Sequence, residues 1–208
     1  MDDTTLAETL ATYDRYADAY GDRHADRSVI ADQVERFCRA VESAPAGAGD
    51  DASRVLDVGC GPGWETETFA DRGFDAVGLD LSRAFLENAS DRAGGRFVRG
   101  DMRQLPAASD TVDGVWAMAS LLHLPRSAAD DALAEFARVA RSGGALFLAV
   151  KRGEGTTEGD GYERDRRTFT LYREEPLCER VERAGFAVVD SAVETGGDGW
   201  VRVLARRA

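Results

Sequence analysis

A chain of 208 residues with 43% hydrophobic side chains is long enough for one α/β domain whose sheet is covered on both faces. No apolar run reaches the roughly 18 residues that span a bilayer, residues 1–5 are acidic rather than signal-like, and three scattered cysteines, Cys38, Cys60 and Cys178, exclude a disulfide framework and argue against zinc, so a cytoplasmic protein without metal is expected. Acids outnumber bases 38 to 26, giving a net charge of −12 with Lys151 as the only lysine, a balance that fits a salt-loaded, halophilic cytoplasm or an arginine-rich, high-GC genome.

Tyr13, Tyr16 and Tyr20 recur at helical spacing, which predicts a helix over residues 5–20. A second helix over 28–43 places Ile30, Val34, Phe37 and Val41 on one face, and residues 45–50 read as a flexible connector. Val55, Leu56, Asp57 and Val58 then form a short apolar run, the mark of a buried parallel strand. A turn with Gly59, Gly61 and Gly63 follows at once, where the backbone can approach a ligand closely. A helix over 64–71 would point its first amides back at that ligand. A second apolar run ends at Asp80, placed to bind the two hydroxyls of a ribose or to cap the helix beginning near Ser82. The spacing is Asp57-x-Gly59-x-Gly61-x-Gly63; the dinucleotide fingerprint wants a third glycine where Trp64 stands.

Further strands are expected over 96–102, ending in Asp101 and Met102, over 111–118, and over 145–150. Between the last two lies an amphipathic helix over about 127–140, stopped by residues 141–144. Four glycines in residues 153–161 suggest a mobile loop or lid, and residues 167–172 alternate like a strand or pocket rim. A helix with a glycine turn covers 179–186. The tail reads as a hairpin, 187–193 and 200–205, around residues 196–199. There are no internal repeats.

From about residue 50 to 208, the order of these motifs resembles the class I S-adenosylmethionine (SAM) dependent methyltransferases, in particular their small single-domain group. The resemblance implies a Rossmann-like, doubly wound, mostly parallel seven-stranded sheet with an antiparallel C-terminal strand. It makes residues 1–50 an N-terminal helical cap of the same domain and 51–208 the SAM-binding core. It implies SAM as cofactor, held by the loop of Asp57, Gly59, Cys60, Gly61 and Gly63, by Asp80 and Leu81 at the ribose, and by Ala117. Asp101 would meet the adenine amino group and Met102 would pack on the ring, unless Asp101 is only a surface turn residue. Tyr20, with Tyr13, would reach the methionine end or the substrate, and Arg27 the cofactor carboxylate; plain packing or solvation are the other readings of these three.

Methyl transfer from a sulfonium is an in-line displacement, so alignment and exclusion of water are the protein's main tasks. A base is needed only where the acceptor keeps its proton. His123, in the segment 119–125 after the fourth strand, is the candidate general base, or else a pocket-shaping residue. Cys60 has no nearby histidine and is not read as a nucleophile, and His24 reads as a surface or packing residue. Tyr162, Arg166, Arg167 and Tyr172 would recognise an anionic substrate or form an exposed rim. The expected activity is methylation of an oxygen or nitrogen of a small molecule by a monomer or homodimer. A tRNA-modifying methyltransferase, using a patch of Arg164, Arg166, Arg167 and Arg173, is the alternative, although no basic stripe with interleaved aromatics points to nucleic acid. A non-catalytic SAM-binding protein and an NAD-dependent oxidoreductase complete the set.

Overall fold

The computed structural model describes residues 3–44, 52–92, 96–194 and 199–208. The connector at 45–50 and the hairpin tip at 196–198 lie outside the described residues. Seven of the nine described strands form one sheet: β1 (Arg54–Val58), β2 (Asp75–Asp80), β3 (Arg96–Arg99), β4 (Val112–Met118), β5 (Ala140–Lys151), β8 (Phe186–Glu194) and β9 (Trp200–Arg207). Two short strands, β6 (Thr156–Glu158) and β7 (Thr168–Thr170), pair separately. The sheet order is β3-β2-β1-β4-β5-β9-β8, with β9 antiparallel to both neighbours and the other pairs parallel. The fold class read from the sequence is therefore the one found. The order reverses between β1 and β4, and such a switch point opens a crevice at the C-terminal ends of the two strands.

Among the described residues there are seven helices: α3 (Ala31–Glu42), α4 (Trp64–Asp71), α5 (Arg83–Arg92), α6 (Arg126–Val139) and α7 (Glu174–Arg183) pack on the sheet, and α1 (Asp3–Arg15) and α2 (Ala17–Arg23) pack on α5. The apolar stripe expected of the second helix is buried, with Ile30, Val34, Phe37 and Val41 facing inward. Phe37 and Phe69 lie 5.3 and 5.6 Å from the Trp116 ring, and Phe147 stacks on that ring at 4.2 Å. This aromatic layer fills the space between α3, α4 and the sheet. On α6, Ala129, Ala132, Leu133 and Phe136 are buried, as are Leu177 and Val181 on α7; all six join one cluster with Leu56, Leu146 and Leu148 of the sheet. Each fully buried large apolar side chain contributes about 1.5–3 kcal/mol, which makes these two layers the main source of stability.

Several local expectations need correction. The single helix over 5–20 breaks at Tyr16, whose ring stacks on Tyr162 at 4.7 Å, while Tyr13 and Tyr20 pack together on Phe85. Residues 140–144 are more than a helix stop: β5 starts at Ala140, opposite Val112, and rejoins the ladder at Ala145 after an irregularity. The glycine-rich segment 153–161 contains β6, because β7 supplies the backbone partners that its polar side chains cannot. The third strand ends at Arg99, leaving Asp101 in a turn bridged to Gln104, and α7 begins at Glu174 rather than near 179.

Candidate functional site

The loop after β1 is held by the neighbouring strand, with the Gly59 and Cys60 amides donating to the Leu79 carbonyl at 2.7 and 3.1 Å. Gly59 has φ +73° and lies so close to Ser120 that a Cβ would overlap that side chain. Gly61 has φ +51° and nothing within 4 Å of its would-be Cβ, because it opens onto a cavity. Asp80 braces the glycine loop, while the cap of α5 is Ser82, whose hydroxyl accepts from the Phe85 amide at 3.1 Å. One carboxylate oxygen accepts from the Gly61 amide at 2.9 Å and the other from the Ser82 amide at 2.8 Å, ahead of α5. A carboxylate offers about four acceptor positions, so two remain for the hydroxyls of a ligand.

Two connected cavities meet at this loop. The smaller, about 110 Å³, is bounded by Asp80, Leu81, Ser82, Phe85, Asp101 and Met102. The larger, about 570 Å³, is bounded by Asp57, Cys60, Arg27, Trp64 and Glu65 near the loop, and by Lys151, Phe169, Trp200 and Arg202 at its far end. Tyr13, Tyr20, Gly59, Gly61, Met118 and Ala119 border both. Of the residues chosen for the cofactor and for catalysis, only Gly63 and Ala117 are not brought to either cavity, and of the four chosen for an anionic substrate only Arg167 is. Gly63 is the N-cap of α4 and packs near Ala89 and Phe97. Ala117 is buried in β4, and the alternation along the strand gives the cavity to Met118 instead. Met118, Ala119, Ser82 and Phe85 were missed; Ala119, a non-glycine residue at φ +53° just after β4, is the backbone strain that often marks a site.

The charges here are unusually arranged. Asp57 is buried, accepts from the Thr66 hydroxyl at 2.7 Å, and is pushed up to about 8 by burial and by the neighbouring Glu65. Glu65 is raised by burial although the Arg27 guanidinium donates to it at 2.7 Å; Arg27 also lies 4.9 Å from the Trp64 ring centre. Burial opposes ionisation of Asp101, but paired hydrogen bonds from Arg103 outweigh it and hold its carboxyl below the usual range. Burial raises the Cys60 thiol far from the thiolate a nucleophile needs.

His123 borders the smaller cavity. Its Nδ1 faces the Thr168 carbonyl at 3.3 Å, which fixes the proton there and leaves Nε2 to accept from the Tyr13 hydroxyl at 2.9 Å. Burial lowers its pKa to about 4. The lone pair that a general base would use is thus already engaged by Tyr13. The rim expected at 162–172 is partly interior: Arg167 is 8% and Tyr172 3% exposed, and Arg167 is paired with Asp165 at 2.6 Å. Of the four arginines considered for tRNA, Arg167 is buried, and Arg173 is exposed and pairs with Glu154 at 3.0 Å. Among the described residues, no group of three or more His, Cys, Asp or Glu is placed to hold a metal ion, and no helix is long and apolar enough to cross a membrane.

A reversed strand order, a glycine loop at the switch point, an acid at the end of β2 and another in the turn after β3 define an α/β protein built around a nucleoside-bearing cofactor. Comparison with known proteins makes this specific. Residues 55–144 match the methyltransferase domain family. Methyltransferase GfsG of Streptomyces halstedii is 38% identical over 104 residues, which is 46% of this chain and 37% of that protein. A protein of Encephalitozoon cuniculi named as a methyltransferase is 32% identical over 164 residues, covering 68% of this chain and 74% of its own. Among solved structures, the 1,6-didemethyltoxoflavin-N1-methyltransferase of Burkholderia thailandensis, with bound S-adenosylhomocysteine, superposes with a TM-score of 0.75 at 21% identity, over 97% of this chain and 88% of that one. The chain belongs to the class I SAM-dependent methyltransferases. It spans less than half the length of the first curated relatives it matches.

Proposed function

We propose that this chain transfers the methyl group of SAM to an oxygen or nitrogen of a small molecule. The observation that carries the reading is the pair of joined cavities, one lined by two carboxylates and apolar walls, the other large and mixed, meeting at Gly59, Gly61 and two tyrosines. The residues fit the cofactor: Asp80 has two free acceptor positions for a ribose, Asp101 stands beside Met102 for an adenine, and Gly61 presents bare backbone. Leu81 would complete the ribose wall, while Asp57, Glu65, Arg27 and Tyr20 surround the place of the amino-acid end. SAM, when bound, supplies an activated methyl group on a sulfonium.

The chain's own part is alignment. Tyr13 stands where the two cavities join, and His123, by accepting its hydroxyl proton, holds it there; His123 acts as a positioning residue in this reading. The cap expected over residues 1–50 is supported by α1 and α2, which pack on α5, with α1 also on β7, while α3 packs on β4 and β5. The acidic, lysine-poor composition supports work in a salty cytoplasm.

The test is incubation with methyl-labelled SAM and a panel of small phenols, amines and carboxylic acids in molar salt. Label in at least one acceptor, dependent on Asp80, is the expected result. Tight binding of SAH with no transfer to any acceptor would favour a non-catalytic SAM-binding protein.

A further inference from the structure

Tyr13 stands where the two cavities join, and the hydrogen bonds of its hydroxyl have a fixed direction. The Thr168 carbonyl can only accept, so the His123 Nδ1 that faces it at 3.3 Å carries the ring proton. Nε2 is left with its lone pair, and the Tyr13 hydroxyl donates to it at 2.9 Å. The Arg167 guanidinium, 5.2 Å from the centre of the Tyr13 ring, is a donor without lone pairs and cannot take that proton instead. The single proton on the Tyr13 oxygen is thus committed, and what this oxygen offers a ligand is a lone pair.

No base stands at the same place. Among the described residues that border both cavities, Tyr13, Tyr20, Gly59, Gly61, Met118 and Ala119, none carries a carboxylate, imidazole or amine. Burial pushes the Tyr20 hydroxyl up to about 12 and raises Tyr13 further, so neither ionises near neutral pH. Of the carboxylates around the larger cavity, Asp57 is bonded to Thr66, Glu65 to Arg27 and Glu194 to Arg202, while Glu158 and Asp160 lie exposed on its rim. An alcohol or phenol must give up its proton to become a good nucleophile, whereas a neutral amine attacks with its proton in place. The surroundings also favour the neutral amine. Burial, with the Arg167 charge in support, lowers the neighbouring His123 to about 4, and an ammonium beside it would meet the same penalty.

Resting on the methyltransferase reading above, we propose that the methyl acceptor is a neutral primary or secondary amine whose N–H donates to the Tyr13 oxygen, leaving the nitrogen lone pair to meet the methyl group. That lone pair forms the new bond to carbon as the carbon–sulfur bond breaks, and the electron pair of the broken bond stays on sulfur, giving SAH. The positive charge passes to nitrogen, which keeps its proton until water takes it from the released ammonium. The hydrogen bond to Tyr13 becomes charge-assisted as that charge arrives, so it lowers the barrier more than it tightens binding. An ionised carboxylate or thiolate has no proton to offer and meets the Tyr13 oxygen lone pair against lone pair.

The chain has two histidines, so NMR of nitrogen-labelled imidazole rings reads His123 directly, with His123→Gln as the assignment. A protonated Nδ1 and a bare Nε2 are expected between about pH 6 and 8, with and without SAH. A proton on Nε2 would reverse the bond to Tyr13 and overturn the proposal. Protein shown by calorimetry to bind SAH is then given labelled SAM with matched anilines, N,N-dimethylanilines, phenols and benzoates. Anilines that carry an N–H are expected to take label at least about tenfold faster than the other three classes. Tyr13→Phe should lower kcat on them about tenfold, with KM for SAM and the thermal melt close to wild type. Faster transfer to phenols or benzoates, equal transfer to the dimethyl forms, an unchanged kcat in Tyr13→Phe, or no label in any aniline would each overturn it. A protein that does not bind SAH would sink the methyltransferase reading itself; one that binds SAH and spares the anilines would sink the amine acceptor alone.

Discussion

Asp57 offers the sharpest test of how the empty site is charged. Its carboxyl is 2% exposed, and burial with Glu65 nearby raises it to about 8. At pH 7 the empty protein therefore holds this group mostly protonated, about 0.9 of a proton by simple titration. On the proposed assignment the ammonium of the cofactor arrives in the same cavity, and an opposite charge favours the ionised carboxylate. The complex then binds fewer protons than the empty protein. Binding should release close to one proton at pH 7, and affinity should climb about tenfold per pH unit up to about 8, then level off. Calorimetric titration with SAH at pH 7, in buffers of different ionisation enthalpy, measures the number released. Asp57→Asn should abolish the release and flatten the pH dependence. The same shift has a stability consequence of opposite sense. A folded-state pKa above the unfolded one stabilises at low pH and is lost as pH rises through about 8, so Asp57→Asn should be the more stable protein above that pH. Zero proton release, or an affinity unchanged between pH 6 and 8, would refute this account of Asp57.

Three further outcomes follow from the geometry. Asp80→Ala removes two charge-assisted hydrogen bonds to the ribose, about 1.5–3 kcal/mol each, so SAH affinity by calorimetry should fall at least about a hundredfold; a loss within about threefold would place the ribose elsewhere. Gly61→Val puts a branched side chain at φ +51° and into the cavity, which should cost roughly 1–2 kcal/mol in urea unfolding and weaken SAH more than about tenfold; normal binding would contradict the close backbone approach. His123 has its folded pKa lowered from 6.5 to about 4, so it stabilises fully above pH 6.5 and progressively less as pH falls toward 4. Between pH 8 and 5 wild type should lose up to about 2 kcal/mol relative to His123→Gln, an upper bound because part of the ring meets the cavity, and identical pH dependence of the two proteins would remove the assignment.

The sheet was legible because its central parallel strands are buried on both faces, so 145–150 is an unbroken apolar run and 55–58 and 112–118 are each interrupted by a single acid, Asp57 and Asp113. The glycine loop was legible because glycine adopts those angles without strain. What escaped was structure made by partners distant in sequence. β6 is polar and exposed, and exists only because Thr157 meets Phe169 across a small ladder. The helix break at Tyr16 carries no proline or glycine to announce it; Tyr16 is drawn aside by Tyr162 and by a hydrogen bond to the Glu163 carbonyl at 2.6 Å. The candidate site divides in the same way. The acids and glycines that border the smaller cavity come from one stretch, 57–102, while Tyr13, Tyr20, Met118 and His123 reach it from elsewhere in the chain. The far end of the larger cavity is assembled from Gln33, Lys151, Phe169, Trp200 and Arg202, which no local pattern links. His123 was found, but its role was set by Tyr13, which lies 110 residues away.

The central claim is that this cleft binds SAM, and calorimetric titration of the folded protein in molar salt with SAH and, separately, with NAD addresses it most directly. The account expects one SAH per chain at micromolar affinity and no heat from NAD. Binding of NAD in place of SAH, or of neither by a protein whose cooperative thermal unfolding proves it folded, would contradict it.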